Sequence, residues 1–492
     1  MERPADLFDR EREWSDLLGF ATNEGPGARV ALLYGRRRQG KSFLLRRLAS
    51  ATGGFYHQAL EEERAQALDR FAADWGTALG LAGRLRFDDW LEALTAPLAL
   101  PLPDAKPRVV VLDELPYLLR HSPELPSALQ RLYDDGRNRP DAPPVRLVVC
   151  GSALSVMTEL LSGTKALRGR ATLGLLLRPF DYRQAAAFWG IGDPETALLV
   201  HAVVGGTPGY RDLLASAPRT ADEFAEWLAE GVLNPSHALF KEADYLLTED
   251  PRLTDRAVYH SVLTAISGGS TRPAQIGAVV GRDARALTHP LHVLETAGLI
   301  HRDDDVLLQR RPSLSVADPI VRFAHLVIRP RLAALEDRRT SQAWAAAQPT
   351  FAAGVLGPHF EHLAREWTAR FASSETLGGE IGEVSRTVVN DRAGRTQHEV
   401  DVVALAAGQR RQAPSPTVRV LGEAKASDRP RTIADLQRLE HIRRLLVGRG
   451  VDADGARLLL FGRSGFDEQL RAAQRQRPDV VLVDLDRLYR GD

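Results

Sequence analysis

The chain has 492 residues, 44% of them hydrophobic and 26% charged, which is typical of a globular protein too long for one core. Its 64 basic residues balance its 64 acidic residues, which argues against a protein that coats nucleic acid through bulk charge. The single cysteine, Cys150, excludes an intrachain disulfide and a cysteine-based zinc site.

No run approaches the roughly 18 consecutive apolar residues of a membrane span, and the first residues lack an apolar signal-peptide core. We therefore expect a cytoplasmic protein with no membrane partner. Only five of the basic residues are lysines, so chance rarely places a lysine inside a motif that requires lysine.

The first third of the chain predicts alternating strands and helices. Arg29–Tyr34 is a short apolar run typical of a buried parallel strand, and Glu61–Leu79 has helical spacing. Breaks rich in proline and glycine at Pro101–Pro107 and Gly136–Pro144 separate the elements. The pattern indicates a parallel sheet covered by helices. The other predicted strands are Gly53–Ala59, Arg108–Leu112, Arg146–Cys150 and Thr172–Leu177.

A complete phosphate-binding motif follows the first strand. The segment from Gly35 to Ser42 reads G-x-x-x-x-G-K-[ST] and precedes a predicted helix that starts at Phe43. Its backbone N–H groups would point at the phosphates, Lys41 would reach the β and γ phosphates, and Ser42 would ligate Mg²⁺. The motif predicts ATP and Mg²⁺ as cofactors, against the alternative of a chance glycine-rich turn. The predicted nucleotide-binding residues here are Gly35, Arg36, Arg37, Arg38, Gln39, Gly40, Lys41, Ser42 and Phe43.

Two acidic residues follow the apolar strand Arg108–Leu112. We expect Asp113 to hold the metal ion and Glu114 to act as the base that polarises water. The alternative is a solvated strand end.

Further polar residues are candidates for contact with the γ-phosphate. Ser152 follows the strand Arg146–Cys150, which we expect to lie beside the P-loop strand. The alternative is that Ser152 belongs to a plain turn at the strand end. Arg168 and Arg170 are candidates for stabilising the negative charge of the phosphates. In a homo-oligomer, they could act on the ATP bound by a neighbouring subunit.

The middle of the chain is predicted to be mainly helical. Between Asp181 and Glu249, three aromatic residues are the expected core anchors: Trp189, Phe224 and Trp227. Ala257–Arg311 is typical of a winged helix, with helices over Ala257–Ser267 and Thr271–Val280, a third helix interrupted by Pro290, and a charged wing at His301–Asp305. This segment is only slightly basic, so DNA contact and a connecting role both stay open.

Seven segments in order resemble the archaeal-type ATPases of the AAA+/STAND-like P-loop group, over nearly the whole chain. They are Leu7–Glu13, the P-loop, Val109–Glu114, Gly151-Ser152, Leu167–Arg170, Gly205–Tyr210 and Ala317–Phe323. The resemblance places the first segment, with Arg10, near the adenine. It also implies that a winged helix and a PD-(D/E)XK nuclease-like domain follow the ATPase.

The last part of the chain contains residues that fit the implied PD-(D/E)XK nuclease-like domain. Gly422-Glu423-Ala424-Lys425 supplies E-x-K at a strand end, and period-2 alternation puts Glu423 and Lys425 on one face. Asp401 lies on an earlier strand and Glu361 on an earlier helix. The predicted order is helix Pro358–Phe371, strands Ile381–Val389, His398–Leu405 and Thr417–Glu423, helix Thr432–Leu446, and strands Arg457–Phe461 and Val480–Leu485.

The predicted chemistry of this cluster is metal-dependent phosphodiester cleavage. Asp401 and Glu423 would hold one or two Mg²⁺ or Mn²⁺ ions, and Lys425 would orient water or neutralise developing charge. Glu361 would complete the metal shell or bind the lysine, and Gln437 is an accessory candidate. The alternatives are an exposed salt bridge and a nuclease fold without activity.

We therefore predict an α/β multidomain enzyme, an ATPase coupled to a nuclease-like domain that acts on DNA. The alternative is an ATP-dependent switch or regulator that binds DNA or protein and cuts nothing. The predicted domains are the P-loop ATPase core with its parallel sheet at 1–180, a helical lid at 181–250, a winged helix at 251–330 and a restriction-endonuclease-like α/β domain at 345–492.

Overall fold

The computed structural model describes residues 2–81, 83, 85–96, 106–138, 142–163, 165–214, 216–309, 312–411 and 413–492. They form two compact units, one of Met1–Pro179 with Leu246–Thr254 and one of Phe180–Tyr245 with Asp255–Asp492. The predicted division into ATPase core, lid, winged helix and C-terminal domain stays a prediction. Parts of the predicted breaks at 101–107 and 136–144, and the end of the winged-helix segment at 311, lie outside the described residues.

The first unit contains a five-stranded parallel sheet in the order β2-β3-β4-β1-β5. All five predicted strands are confirmed within a few residues. The expected neighbourhood of β4 and the P-loop strand β1 is also confirmed, since the two pair along their whole length. The strands are β1 (Ala28–Tyr34), β2 (Phe55–Gln58), β3 (Arg108–Asp113), β4 (Val145–Gly151) and β5 (Ala171–Leu176).

Helices cover both faces of this sheet, which explains why its strands are apolar at consecutive positions. Val30 and Leu32 of β1 belong to a core with helices α3 to α6, whereas Ala31 and Leu33 belong to a second core with α1 and α2. The helices are α1 (Glu11–Ala21), α2 (Lys41–Thr52), α3 (Arg64–Ala78), α4 (Trp90–Thr95), α5 (Leu115–His121), α6 (Leu125–Arg137) and α7 (Leu154–Leu160).

The second unit begins with the predicted helical region. The three expected core anchors Trp189, Phe224 and Trp227 are buried, which confirms that prediction. Their rings pack together, with 6.4 Å between the centroids of Trp189 and Trp227. The elements are α8 (Tyr182–Trp189), α9 (Pro194–Val204), short 3₁₀ turns at Pro208–Tyr210, Ala221–Glu223 and Ala238–Lys241, α10 (Phe224–Glu230), and α11 (Glu242–Glu249), which ends in the first unit.

Three helices and a two-stranded antiparallel hairpin occupy the segment predicted as a winged helix. The expectation that Pro290 interrupts the third helix is wrong, because α14 begins at Thr288 and Pro290 lies in its first turn, where no helical N–H is needed. Of the charged segment predicted as the wing, His301–Asp303 lies in strand β6, and Asp304 and Asp305 follow that strand. The elements are α12 (Arg256–Ser267), α13 (Pro273–Val280), α14 (Thr288–Thr296), β6 (Ile300–Asp303) and β7 (Ser313–Val316).

A helical stretch follows, and it includes the predicted helix Pro358–Phe371. It consists of α15 (Pro319–Phe323), a π-helical turn at Ala324–Ile328, a 3₁₀ turn at Arg329–Arg331, α16 (Leu332–Glu336), α17 (Thr340–Thr350), a second π-helical turn at Phe351–Leu356, α18 (Gly357–Arg370) and α19 (Ser374–Leu377).

Two segments that carry the family resemblance pack together inside this unit. A Cβ on Gly206 would lie 1.8 Å from the carbonyl oxygen of Phe180, and the Phe180 N–H donates to the Gly206 carbonyl over 2.8 Å. Gly205 has a positive φ of 61° and lies against Pro319. Glycine is required here for close backbone packing.

The unit ends in a five-stranded mixed sheet in the order β12-β11-β10-β9-β8. Strands β8, β9 and β10 form an antiparallel meander, and β10, β11 and β12 are parallel. The predicted elements are confirmed, except that the last strand ends at Val483 because a short helix starts at Leu485. The elements are β8 (Ile381–Asp391), β9 (Thr396–Ala406), β10 (Val418–Lys425), α20 (Ile433–Val447), β11 (Arg457–Gly462), α21 (Glu468–Gln476), β12 (Val480–Val483) and α22 (Leu485–Arg490).

No helix among the described residues combines the length and the apolar character that are needed to cross a bilayer.

Candidate functional site

The P-loop connects β1 to α2 and depends on two glycines. A Cβ on Gly35 would lie 2.4 Å from the carbonyl oxygen of Leu177, so no larger residue fits at the start of the loop. Gly40 caps α2 with a φ of 88°, a conformation that favours glycine. The loop therefore ends at a helix N-terminus whose first N–H groups are available to an anion.

Lys41, the first residue of α2, is buried within this loop. Its ammonium donates to the carbonyl oxygen of Arg36 over 2.9 Å. The loop thus wraps around the cation of the same motif. A positive charge beside a helix N-terminus fits a triphosphate.

Asp113 ends β3 and is fully buried. The Tyr56 hydroxyl on β2 donates to Asp113 Oδ2 over 2.6 Å. Burial and the neighbouring Asp113 raise the pKa of Tyr56. Tyr56 therefore orients Asp113, and the hard oxygen atoms of Asp113 and Ser42, the two predicted ligands of Mg²⁺, fit that ion.

Glu114 directly follows β3, in a left-handed backbone conformation with a φ of 58°. Its Oε2 accepts a hydrogen bond from the Ser152 hydroxyl at the end of β4, over 3.2 Å. Burial raises the pKa of Glu114, Asp113 raises it further, and Lys41 and Ser152 oppose the shift. The structure therefore brings the predicted residues Lys41, Asp113, Glu114 and Ser152 together at the carboxyl ends of β3 and β4 and the adjoining P-loop.

The segment Leu246–Thr254 returns to this unit and contacts α7 and the P-loop. The buried Ser155 donates through its hydroxyl to Asp250 Oδ1 over 2.6 Å. Arg252 pairs with Glu159, and Arg37 of the P-loop lies 3.4 Å from Glu249. The segment is thus attached at a buried hydrogen bond next to the β4 end that carries Ser152.

The remaining predicted residues of this unit lie at varied positions. Arg10 is buried and donates to the carbonyl oxygen of Arg178 over 2.7 Å, one residue beyond the Leu177 that contacts Gly35. Phe43 is exposed, Gln39 is buried, and Arg38 has a positive φ of 64°.

The two predicted arginines are engaged away from the P-loop motif. Arg168 donates to the carbonyl oxygen of Gly163, and Arg170 pairs with Asp134 of α6 at 3.0 Å. Neither contact involves a P-loop residue, so a role for either arginine at the phosphates stays a prediction.

In the second unit, three predicted carboxylates lie in one electrostatic cluster. Burial, and then Asp401, raise the pKa of Glu361 to about 7. Burial also raises the pKa of Asp401, whose Oδ2 accepts the backbone N–H of Ala424 over 2.9 Å, and Glu423 adds to the shift. Asp401 raises the pKa of Glu361 and Glu423 raises that of Asp401, so these buried, neighbouring acids fit the need for a cation.

Cationic side chains of this chain already surround Glu423. Its Oε1 pairs with Arg438 of α20 and lies 3.5 Å from the Lys425 ammonium, which confirms that Glu423 and Lys425 share a face. The Lys425 ammonium also donates to Asp435 Oδ1 over 3.0 Å. The fully buried Arg431 lies 3.8 Å from Glu423 Oε2.

The contacts of Tyr56, Arg431, Asp435 and Arg438 were not predicted from the sequence. The only available signal was that Asp435 and Arg438 follow the E-x-K strand on the next helix. The accessory candidate Gln437 lies on the same helix but is exposed.

The first part of the chain matches a known family model, and longer parts of it resemble a relative and solved structures. Residues 7–210 match the family model described as an ATPase domain predominantly from Archaea, which is less than half of the chain. An uncharacterized protein of Methanocaldococcus jannaschii is 24% identical over 310 residues, which are 62% of this chain and 65% of that relative. The match therefore spans less than two thirds of the length of the relative.

Two solved structures resemble the chain at low identity. The Walker-type ATPase of Pyrococcus abyssi is 19% identical, with a TM-score of 0.48, and the match covers 66% of this chain and 97% of that one. The ORC2 protein of Aeropyrum pernix is 15% identical, with a TM-score of 0.47, and the match covers 69% and 96%. The family match and the P-loop geometry together support a P-loop ATPase in the N-terminal part of this chain.

Proposed function

We propose that the chain hydrolyses ATP at the P-loop and that this turnover governs a nuclease-like C-terminal domain. The observation that carries the first half is the convergence of Lys41, Asp113, Glu114 and Ser152 around one loop. The observation that carries the second half is the electrostatic cluster of Glu361, Asp401 and Glu423 with Lys425.

In the proposed hydrolysis, the chain supplies binding, orientation and a proton acceptor. The N–H groups of the loop and the ammonium of Lys41 bind the phosphates. Ser42 and Asp113 would hold Mg²⁺, which offsets phosphate charge when bound. The Glu114 carboxylate orients the attacking water and accepts its proton, and its raised pKa improves it as a base. Ser152 is a positioning residue that fixes the Glu114 carboxylate.

In the proposed nuclease-like site, Asp401 and Glu423 would hold Mg²⁺ or Mn²⁺, which supports water activation when bound. Lys425 neutralises the negative charge that develops on the scissile phosphate. Glu361, once it is deprotonated, adds a negative charge near Asp401. DNA is the proposed substrate, and the segment from α12 to β7 is a candidate winged helix that contacts it or connects domains.

One observation favours a second candidate, an ATP-dependent switch whose nuclease-like domain does not cut. Arg438 and Lys425 both lie against Glu423, so cations of the chain already neutralise a carboxylate that a metal ion would use. In a working nuclease, the Arg438 side chain, which is 37% exposed, would have to move away from Glu423.

The experiment incubates the full chain with linear and supercoiled DNA, with Mg²⁺ or Mn²⁺, with and without ATP. Three variants accompany the wild type: Lys425→Ala, Arg438→Ala, and Lys241→Ala as an exposed lysine control. Cleavage by the wild type and Lys241→Ala, but not by Lys425→Ala, is the expected result. Cleavage by Arg438→Ala alone would identify a nuclease held inactive by Arg438. Intact ATP hydrolysis with no cleavage by any protein would favour the switch.

A further inference from the structure

A second cluster in the C-terminal domain lies apart from the acids of the proposed nuclease-like site. It consists of Asp391 at the end of β8, His398 on β9 and His441 on α20. In the antiparallel pairing, His398 lies opposite Val389, so Asp391 shares the face of β8 on which His398 stands. Val389 packs in the same core as Leu439 and Ile442 of α20, which brings His441 to that face.

We propose that Asp391, His398 and His441 bind a divalent transition metal ion of the zinc class. Two imidazoles and one carboxylate are a ligand set that zinc uses when a fourth position stays open.

The distances suit such an ion after small side-chain adjustments. Asp391 Oδ2 lies 2.9 Å from His441 Nε2 and 3.8 Å from His398 Nε2. One ligand atom from each of the three residues lies within 4.8 Å of the others. Bonds of about 2.0 Å in a tetrahedron separate ligand atoms by about 3.3 Å, which falls between the two measured separations.

The hydrogen bonds around the cluster leave ligand atoms available. His398 Nε2 is buried and has no hydrogen-bond partner among the described residues. A buried ring nitrogen without a partner is costly unless a ligand satisfies it. Asp391 Oδ1 accepts the N–H of Gly394 over 2.9 Å, which orients the carboxylate and leaves Oδ2 for the histidines.

The cluster is also accessible to an ion. The His441 side chain is 42% exposed, whereas Asp391 is almost buried. An ion held there would join the β8–β9 hairpin to α20. The same helix carries Asp435 and Arg438, which contact Lys425 and Glu423, so metal binding would fix the helix that faces the acidic cluster.

The test measures Zn²⁺ binding to the full chain after removal of metals with a chelator. Bound zinc is quantified by mass spectrometry, and affinity is measured by competition with a chromophoric chelator. The variants are His398→Gln, His441→Gln and Asp391→Asn, with His292→Gln as an exposed histidine control. Asp401→Asn is included because it disables the proposed nuclease-like site and leaves this cluster intact.

We expect one equivalent of zinc to bind to each of three proteins: the wild type, His292→Gln and Asp401→Asn. Each cluster variant should bind that equivalent at least about tenfold more weakly. Zinc should also raise the melting temperature of the wild type but not that of a cluster variant with a native circular dichroism spectrum. Equal zinc affinity in the wild type and in folded His398→Gln and Asp391→Asn would overturn the proposal. Loss of the bound zinc equivalent in Asp401→Asn alone would also overturn the proposal.

Discussion

The Ser152 hydroxyl donates a hydrogen bond to Oε2 of Glu114, with 3.2 Å between the two oxygen atoms. The two residues follow adjacent parallel strands, β4 and β3, and β4 also pairs with the P-loop strand β1. Glu114 has a left-handed backbone, which costs free energy unless its surroundings hold it. This hydrogen bond links the proposed base to the strand beside the P-loop.

Ser152→Ala should lower the kcat of ATP hydrolysis by about tenfold or more, because Glu114 loses the donor that orients it. The KM for ATP should change little, because in the proposed mechanism the loop N–H groups and Lys41 bind the phosphates while Ser152 positions Glu114. Ser152→Thr should restore most of the rate. Steady-state kinetics beside the exposed-site control Ser50→Ala checks this, and an equal change in KM would point to a structural role.

Tyr56→Phe should increase the Mg²⁺ concentration needed for half-maximal ATP hydrolysis. The Tyr56 hydroxyl orients the carboxylate of Asp113, and a hydrogen bond to a charged group contributes about 1.5–3 kcal/mol. A shift of about tenfold is therefore expected. A magnesium titration of the ATPase rate measures it, with Tyr117→Phe as a control at an exposed tyrosine. An unchanged titration curve would show that Tyr56 does not organise this site.

Ser155→Ala and Asp250→Ala should each lower the free energy of unfolding by about 1–3 kcal/mol, because each leaves a buried polar partner unsatisfied. Their effects should not add, since both remove the same hydrogen bond. Chemical denaturation of the single and double variants gives the coupling energy, with Ser162→Ala as an exposed control. Fully additive effects would contradict the attachment of Leu246–Thr254 through this pair.

Acid should destabilise the second unit through a buried histidine pair. His201 Nδ1 lies 2.9 Å from His359 Nε2; burial and His362 lower the pKa of His201 to about 3, and burial lowers that of His359 well below its usual range. Below pH 6.5 the unfolded chain binds protons that the folded pair does not. The free energy of unfolding should therefore fall as the pH decreases from about 6.5 toward about 3. Each of the two histidines should contribute a decrease of up to about 1.4 kcal/mol for each pH unit.

Hydrogen exchange at the histidine C2 positions, read by mass spectrometry, measures these pKa values residue by residue. The exposed His292 serves as the internal reference. Exchange of His201 and His359 that titrates near pH 6.5 would contradict the neutral buried pair.

Local patterns predicted the parts of the fold that depend on neighbouring residues. The strand–loop–helix around Lys41 was predictable because apolar runs, glycines and a helix start occur in one short segment. The shared face of Glu423 and Lys425 followed from strand periodicity alone.

Contacts between distant elements were not predictable in this way. Tyr56 reaches Asp113 because β2 pairs with β3, and His398 meets His441 because α20 packs on the C-terminal sheet. Arg438 contacts Glu423 because α20 packs on the sheet that carries Glu423. Nothing in the local sequence distinguishes Arg438 from the many other arginines. The interruption expected at Pro290 was wrong because the helix starts only at Thr288, and helix starts are difficult to locate from sequence.

The central claim is that Glu114 is the base for ATP hydrolysis at this P-loop. The most direct measurement compares ATP hydrolysis and ATP binding in the wild type, Glu114→Gln and Lys41→Ala, with Mg²⁺ present. We predict that the wild type hydrolyses ATP, that Glu114→Gln binds ATP but hydrolyses it at least about 100-fold more slowly, and that Lys41→Ala does neither well. Hydrolysis by Glu114→Gln at the wild-type rate, or no hydrolysis by the folded wild type, would contradict the claim.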